Sequence, residues 1–251
     1  MPLLEREICK LTDNPTCTMI NIWHDICDYA LRRRIEVVAE SRRKHPKLRY
    51  SQHEINTAFP AGYKGKVVLS VWVESFPALK PIVMSHEVGH WVLNLRGFRG
   101  MLHCPRHSDT EVLLNSLASH PPLYRLQREA GHDPQAEIDS SCDQNSRLFS
   151  QPGRINEVTG ALRLADDILN CSFKNRERLE WTLGRNHPNT LRLVNRIVAL
   201  ASDYNLLDPE ENIAFRKKLI EEMNLGDTWR DSDNIEAIRK LIQKVEGTTS
   251  R

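Results

Sequence analysis

The sequence predicts an α+β fold that is mostly helical, and three observations carry this expectation. Val67, Leu69, Val71 and Val73 alternate with Val68, Ser70, Trp72 and Glu74, the period of two that a strand requires. Met84, Val88, Trp91 and Leu95 recur at the three-to-four spacing of a helix. Farther on, Leu191, Val194, Ile197, Val198 and Ala201, then Ile213, Leu219, Ile220 and Met223, make two more helical stripes. The division expected from this is a mixed part over 1–153 and an all-helical part over 154–251. With 251 residues, 40% hydrophobic and 27% charged, the chain can bury a sizeable core.

Taken in order, the N-terminal part opens with an expected helix over 20–44, whose apolar side is Ile20, Trp23, Ile26, Cys27 and Ala30. Arg32, Arg33, Arg34, Arg42, Arg43, Lys44, Lys47 and Arg49 make the following stretch basic. A solvated helix face is the commoner meaning of such a run, and phosphate contact the rarer one. Ala61-Gly62-Tyr63-Lys64-Gly65 reads as a turn before the strand over 67–73, which leads through Phe76-Pro77 into the next helix. A peptide substrate could pair with the edge of such a sheet through main-chain hydrogen bonds. Pro81 suits a first helical position and Gly97 the residue just past a C-terminus, so 82–96 is expected as about four turns.

That helix carries His86-Glu87-Val88-Gly89-His90. Positions i and i+4 share a helix face, so both imidazoles can reach one Zn²⁺ at about 2.0–2.1 Å. Glu87 borders the same ion, and a carboxylate there can take a proton from a metal-bound water whose pKa has been lowered to roughly 7. The pattern implies metal-assisted hydrolysis. Gly89 costs such a helix about 1 kcal/mol against Ala, which close approach of another backbone or of substrate would explain.

The run Ile82-Val83-Met84-Ser85-His86-Glu87-Val88-Gly89-His90-Trp91-Val92-Leu93 resembles the active helix of the ImmA/IrrE family of HExxH metallopeptidases. The resemblance implies a compact zincin-like domain with a short sheet. It also implies a third ligand from a glutamate in a following segment of the form E-x-x-A-N-x-F-A. Glu111-Val112-Leu113-Leu114-Asn115-Ser116-Leu117-Ala118 fits that form, with Leu114 large where a small residue is usual. On this reading His86, His90 and Glu111 are the metal ligands and Glu87 is the catalytic base. Ser108 and Glu111 also fit a capping box, which would tie this glutamate to its own helix terminus. Asp139-Ser140-Ser141-Cys142-Asp143, with Glu137 beside it, is the rival source of the third ligand, and Asn115 or Asp143 is the expected partner that orients a ligating histidine. His103, Cys104, His107, His120 and His132 are further donors, and one of them or Tyr124 could stabilise a developing oxyanion.

The C-terminal part shows a weak repeat at a shift of 42 residues, which places Phe173 on Phe215, Leu183-Gly184 on Leu225-Gly226 and His187 on Trp229. Leu183-Gly184-Arg185-Asn186-His187-Pro188-Asn189-Thr190-Leu191 resembles the kinesin-light-chain type of tetratricopeptide repeat, which implies stacked helix pairs that bind a protein partner or peptide segment. Asn189 or Thr190 is the expected helix cap after Pro188, and a last half-unit is expected over 235–245. Cys9, Cys17, Cys27, Cys104, Cys142 and Cys171 form no C-x-x-C pair, which suits reduced thiols. The net charge of +2 does not call for a nucleic-acid partner, and no run approaches the roughly 18 apolar residues of a membrane span. The charged start MPLLEREICK lacks a signal-peptide apolar run, so a cytoplasmic chain is expected. The whole reads as a zinc metallopeptidase acting on a protein or peptide substrate, with a helical region for target or partner binding; the alternatives are a non-catalytic adaptor stabilised by zinc and a nucleic-acid-linked stress or defence regulator.

Overall fold

The computed structural model describes residues 36–41, 56–63, 66–73, 81–103, 109–151, 153, 156–226 and 228–232. Among them the chain is mostly helical. Strands β1 (Glu36–Ser41), β2 (Asn56–Tyr63) and β3 (Lys66–Val73) form one sheet with β3 in the centre, parallel to β1 and antiparallel to β2. Helix α1 (Pro81–Leu95) and strand β4 (Gly100–His103) follow. Then come α2 (Asp109–Glu129), α3 (Gln135–Leu148), α4 (Glu157–Asn170), α5 (Phe173–Asn186), α6 (Pro188–Ser202) and α7 (Pro209–Glu222). Strand β5 (Trp229–Ser232) pairs antiparallel with β4.

These elements belong to two compact units, and α2 contributes to both: residues 126–132 go with the first and residues 97–125 with the second. In the first unit α1 lies against β2. The expected strand over 67–73 is present as β3. The expected helix over 20–44 is not helical at 36–41, where Val37 and Val38 take strand positions opposite Leu69 and Ser70; β-branched neighbours suit a pleated strand better than a helix. Residues 20–35 and 42–44 lie outside the described residues. Likewise Ala61, Gly62 and Tyr63 continue β2 instead of turning, in register with Val68, Val67 and Lys66.

Helix α1 begins at Pro81 and stops where the sequence says it should. Arg96 N donates to Val92 O and Leu93 O at 3.0 Å, and Gly97 follows with φ +94°, a conformation that an L side chain rarely adopts. Its buried positions are Ser85, Gly89, Val92 and Leu93.

The second unit is a stack of helices around a core that includes Leu114, Leu117, Leu162, Leu164, Leu179, Leu183, Val194 and Phe215, all fully buried. Helix α3 packs on α4 and α5, α4 on α5 and α6, and α6 on α5 and α7. Such packing is what amphipathic helix pairs require, because no pair can bury its apolar face alone. A boundary at residue 153 falls within this unit, between α3 and α4. The expected 42-residue equivalence fails, since Phe173 is 74% exposed and Phe215 is 0% exposed. The spacing of the stack is shorter: α5 begins 38 residues after α3 and α6 begins 31 after α4. The expected last half-unit over 235–245 lies outside the described residues.

Local chemistry sets the ends of these helices. Asn156 caps α4 by accepting from Val158 N and Thr159 N, and Asp208 caps α7 by accepting from Glu210 N and Glu211 N. Pro188 occupies the first turn of α6, so the cap position falls to His187 and not to Asn189 or Thr190.

Inside α2, Pro121 and Pro122 remove the two amide donors that would serve the carbonyls of Leu117 and Ala118. Asn212 of α7 supplies one replacement: its Nδ2 donates to Ala118 O at 2.7 Å and to Leu206 O at 2.8 Å.

Candidate metal centre

Helix α1 holds His86, Glu87 and His90 within one and a quarter turns. The two imidazoles are half-buried and lie edge to face, with ring centroids 4.9 Å apart and planes at 82°. They flank the buried side formed by Ser85, Gly89 and Val92, so the turn that packs inward also fixes where the rings emerge.

Helix α2 carries another imidazole, that of His120. His120, Tyr124 and Gln127 follow at i, i+4 and i+7, which puts them on one face. At one end of that face Gln127 Nε2 donates to Ile82 O at 3.0 Å and to Ser85 Oγ at 2.9 Å, clamping the first turn of α1 next to His86. At the other end His120 Nδ1 is 2.6 Å from Asp166 Oδ2 of α4, and the Tyr124 hydroxyl is 3.3 Å from the same nitrogen. Asp166 is itself held, because Asn170 Nδ2 donates to its Oδ1 at 2.9 Å and to its carbonyl at 2.8 Å. A histidine that turns one ring nitrogen to a carboxylate has its tautomer set and presents the other nitrogen as the metal donor.

Helix α1 thus offers two imidazoles on one face, donors of the kind that suit zinc.

The other candidate residues have structural partners. Glu111 is buried in the first turn of α2, where its Oε2 accepts from His103 N at 2.9 Å. One turn on, Asn115 gives both ends of its amide to the backbone of Met101, at 2.8 Å each. Together these two side chains clip β4 to α2. Asp139 Oδ1 accepts from Ser172 N at 2.8 Å and from Gln135 Nε2 at 3.1 Å. Burial raises its carboxyl, yet the Ser172 amide and the Gln135 side chain outweigh it and hold the group below the ordinary range. Asp143 pairs with Arg178 and Arg147, and Glu137 is exposed on the first turn of α3. Thus Asp166 stands beside the ring of His120 in the orienting place that Asn115 or Asp143 was expected to take.

His103 is half-buried, with its ring 4.7 Å from that of Trp229, and His132 is buried, which pulls its imidazole below the usual value. Cys104, His107 and Ser108 lie outside the described residues. His120 was one donor among five in the sequence, and the His120-to-Tyr124 spacing on a helix was the only signal that favoured it. Asp166, 46 residues away, had none.

Asp167 sits next to Asp166 but is buried, bonded by Asn145 Nδ2 at 2.6 Å and by Ser141 Oγ at 3.4 Å. Burial pushes its carboxyl up to about 6, with the neighbouring Asp166 charge adding to the effect. Because the folded value lies above the unfolded one, the native state binds more protons between about pH 4 and pH 6, and stability falls as pH rises through that window. Asp167→Asn is expected to remove that part of the slope, measured as the difference in Tm between variant and wild type at pH 4 and pH 7. Parallel curves for the two proteins would contradict the assignment.

Among the described residues no helix is long and apolar enough to cross a membrane. Comparison of the chain with protein-family models, with characterised proteins and with solved structures finds no match.

Proposed function

We propose that this chain is a zinc-dependent peptidase in which His86 and His90 hold the ion and Glu87 is the general base. The observation that carries the reading is the pair of half-buried imidazoles one turn apart on α1, edge to face with ring centroids 4.9 Å apart. When bound, zinc supplies a Lewis acid that polarises a peptide carbonyl and lowers the pKa of water. Glu87, between two ligands on α1, takes the proton of the attacking water and passes it to the leaving amine. The helical stack would supply the surface for a protein target, a reading supported by Phe173 and Trp181, which stand 74% and 65% exposed on α5.

Metal analysis of purified variants tests the ligand set. His86→Ala and His90→Ala are expected to lose zinc, and zinc retained by both would overturn the site. Zinc lost from one of Glu111→Ala, Asp139→Ala and His120→Ala would identify the third ligand. Zinc bound at full stoichiometry with no hydrolysis of any peptide pool would make the ion a structural one.

A further inference from the structure

We propose that Cys142 and Cys171 are a redox-active pair that a peroxide converts into an intramolecular disulfide. This goes beyond the metal centre and does not depend on it. Cys142 lies on α3, fully buried, with Sγ 3.7 Å from the carbonyl of Asn175. Cys171 closes α4 and is half-buried, and each thiol perturbs the ionisation of the other. The backbone around them is already joined. Ser172 N donates to Asp139 Oδ1 at 2.8 Å and Asn175 Nδ2 donates to Asp139 O at 3.5 Å, so residues 171–175 are fastened to α3 three residues before Cys142. A cross-link here would join segments that are in contact before it forms.

The two sulfurs differ in the way that such chemistry needs. Cys171 is the accessible one and stands one residue before Ser172, the cap of α5, where the amide end of a helix favours negative charge. The neighbouring Cys142 thiol holds the Cys171 thiol below its ordinary value, whereas Cys171 and burial push Cys142 up. Cys171 is therefore the nucleophile and Cys142 the resolving thiol. In the first step the Cys171 thiolate attacks one peroxide oxygen, the O–O bond breaks, and the sulfur becomes a sulfenic acid as one water leaves. In the second the Cys142 sulfur attacks that sulfenic sulfur, the S–O bond breaks, and the departing hydroxide takes the Cys142 proton as a second water. Two thiols and one peroxide give one disulfide and two waters.

The test is to treat the native full-length protein with hydrogen peroxide and map its peptides by mass spectrometry without reduction. The expected product is a peptide pair linked through Cys142 and Cys171, lighter by two hydrogen atoms and separated again by dithiothreitol. In Cys142→Ser the reaction should stop at a sulfenic acid on Cys171 that dimedone traps, and in Cys171→Ser the remaining Cys142 should stay unmodified. Direct passage of Cys171 to sulfinic acid with Cys142 still reduced would overturn the proposal. So would a link that forms only after denaturant is added. The wild-type map alone decides the matter should either variant fail to fold.

Discussion

Glu87→Gln is expected to keep its zinc and to lower peptide hydrolysis by roughly 10²–10⁴-fold, the range that a lost general base commands. The substitution keeps the length and polarity of the side chain on α1 and removes only its ability to accept a proton. His86 and His90, one turn apart on the same helix, remain as donors. The measurement is turnover on a peptide library beside zinc content for the same preparation, because loss of both would mean that the substitution had disturbed the ligands instead. An unchanged rate in a zinc-loaded variant would remove Glu87 from the mechanism. A pH profile adds a second readout, since the limb governed by the base should disappear in the variant while other limbs stay.

The largest effect on stability is expected at Phe215. Its ring is fully buried in α7, 5.9 Å from that of Tyr204, and the surrounding core includes Leu114, Leu117, Leu162 and Leu164. Phe215→Ala removes a ring that close-packed neighbours can replace only in part, at a cost of about 3–5 kcal/mol. Urea denaturation should show this as a lower midpoint. Phe173→Ala is the control: the side chain is 74% exposed, and an exposed substitution is expected to stay within about 0.5 kcal/mol. Equal midpoints for the two variants would contradict the buried and exposed assignments together.

The parts of the fold legible in the sequence were those where one residue has a single physical use. Pro81 and Gly97 bracketed α1 because a missing amide is harmless only in a first turn and a positive φ suits glycine. The strand β3 was legible from its alternation. Strand β1 was not, because Val37 and Val38 sit among charges spaced as on a helix and their strand pairing is with Leu69 and Ser70 of β3, 32 residues away. The same limit governs the metal centre. His86 and His90 announce themselves by local spacing, whereas the His120 and Asp166 contact is made by tertiary packing, which no local pattern encodes. Glu111 and Asn115 show the converse: their segment looked like ligand chemistry, and both hold the backbone of β4.

The paired prolines of α2 limit how small a working fragment could be. Cut from the chain, the segment 109–129 would be interrupted after residue 120 and leave two pieces, each at or below the roughly 12–15 residues an isolated helix needs in water. The amide that Asn212 lends to Ala118 is available only once α7 has folded against it. A miniature made of the HExxH rod and its neighbouring segment would therefore keep the two imidazoles of α1 and leave the second helix without the amide that serves Ala118.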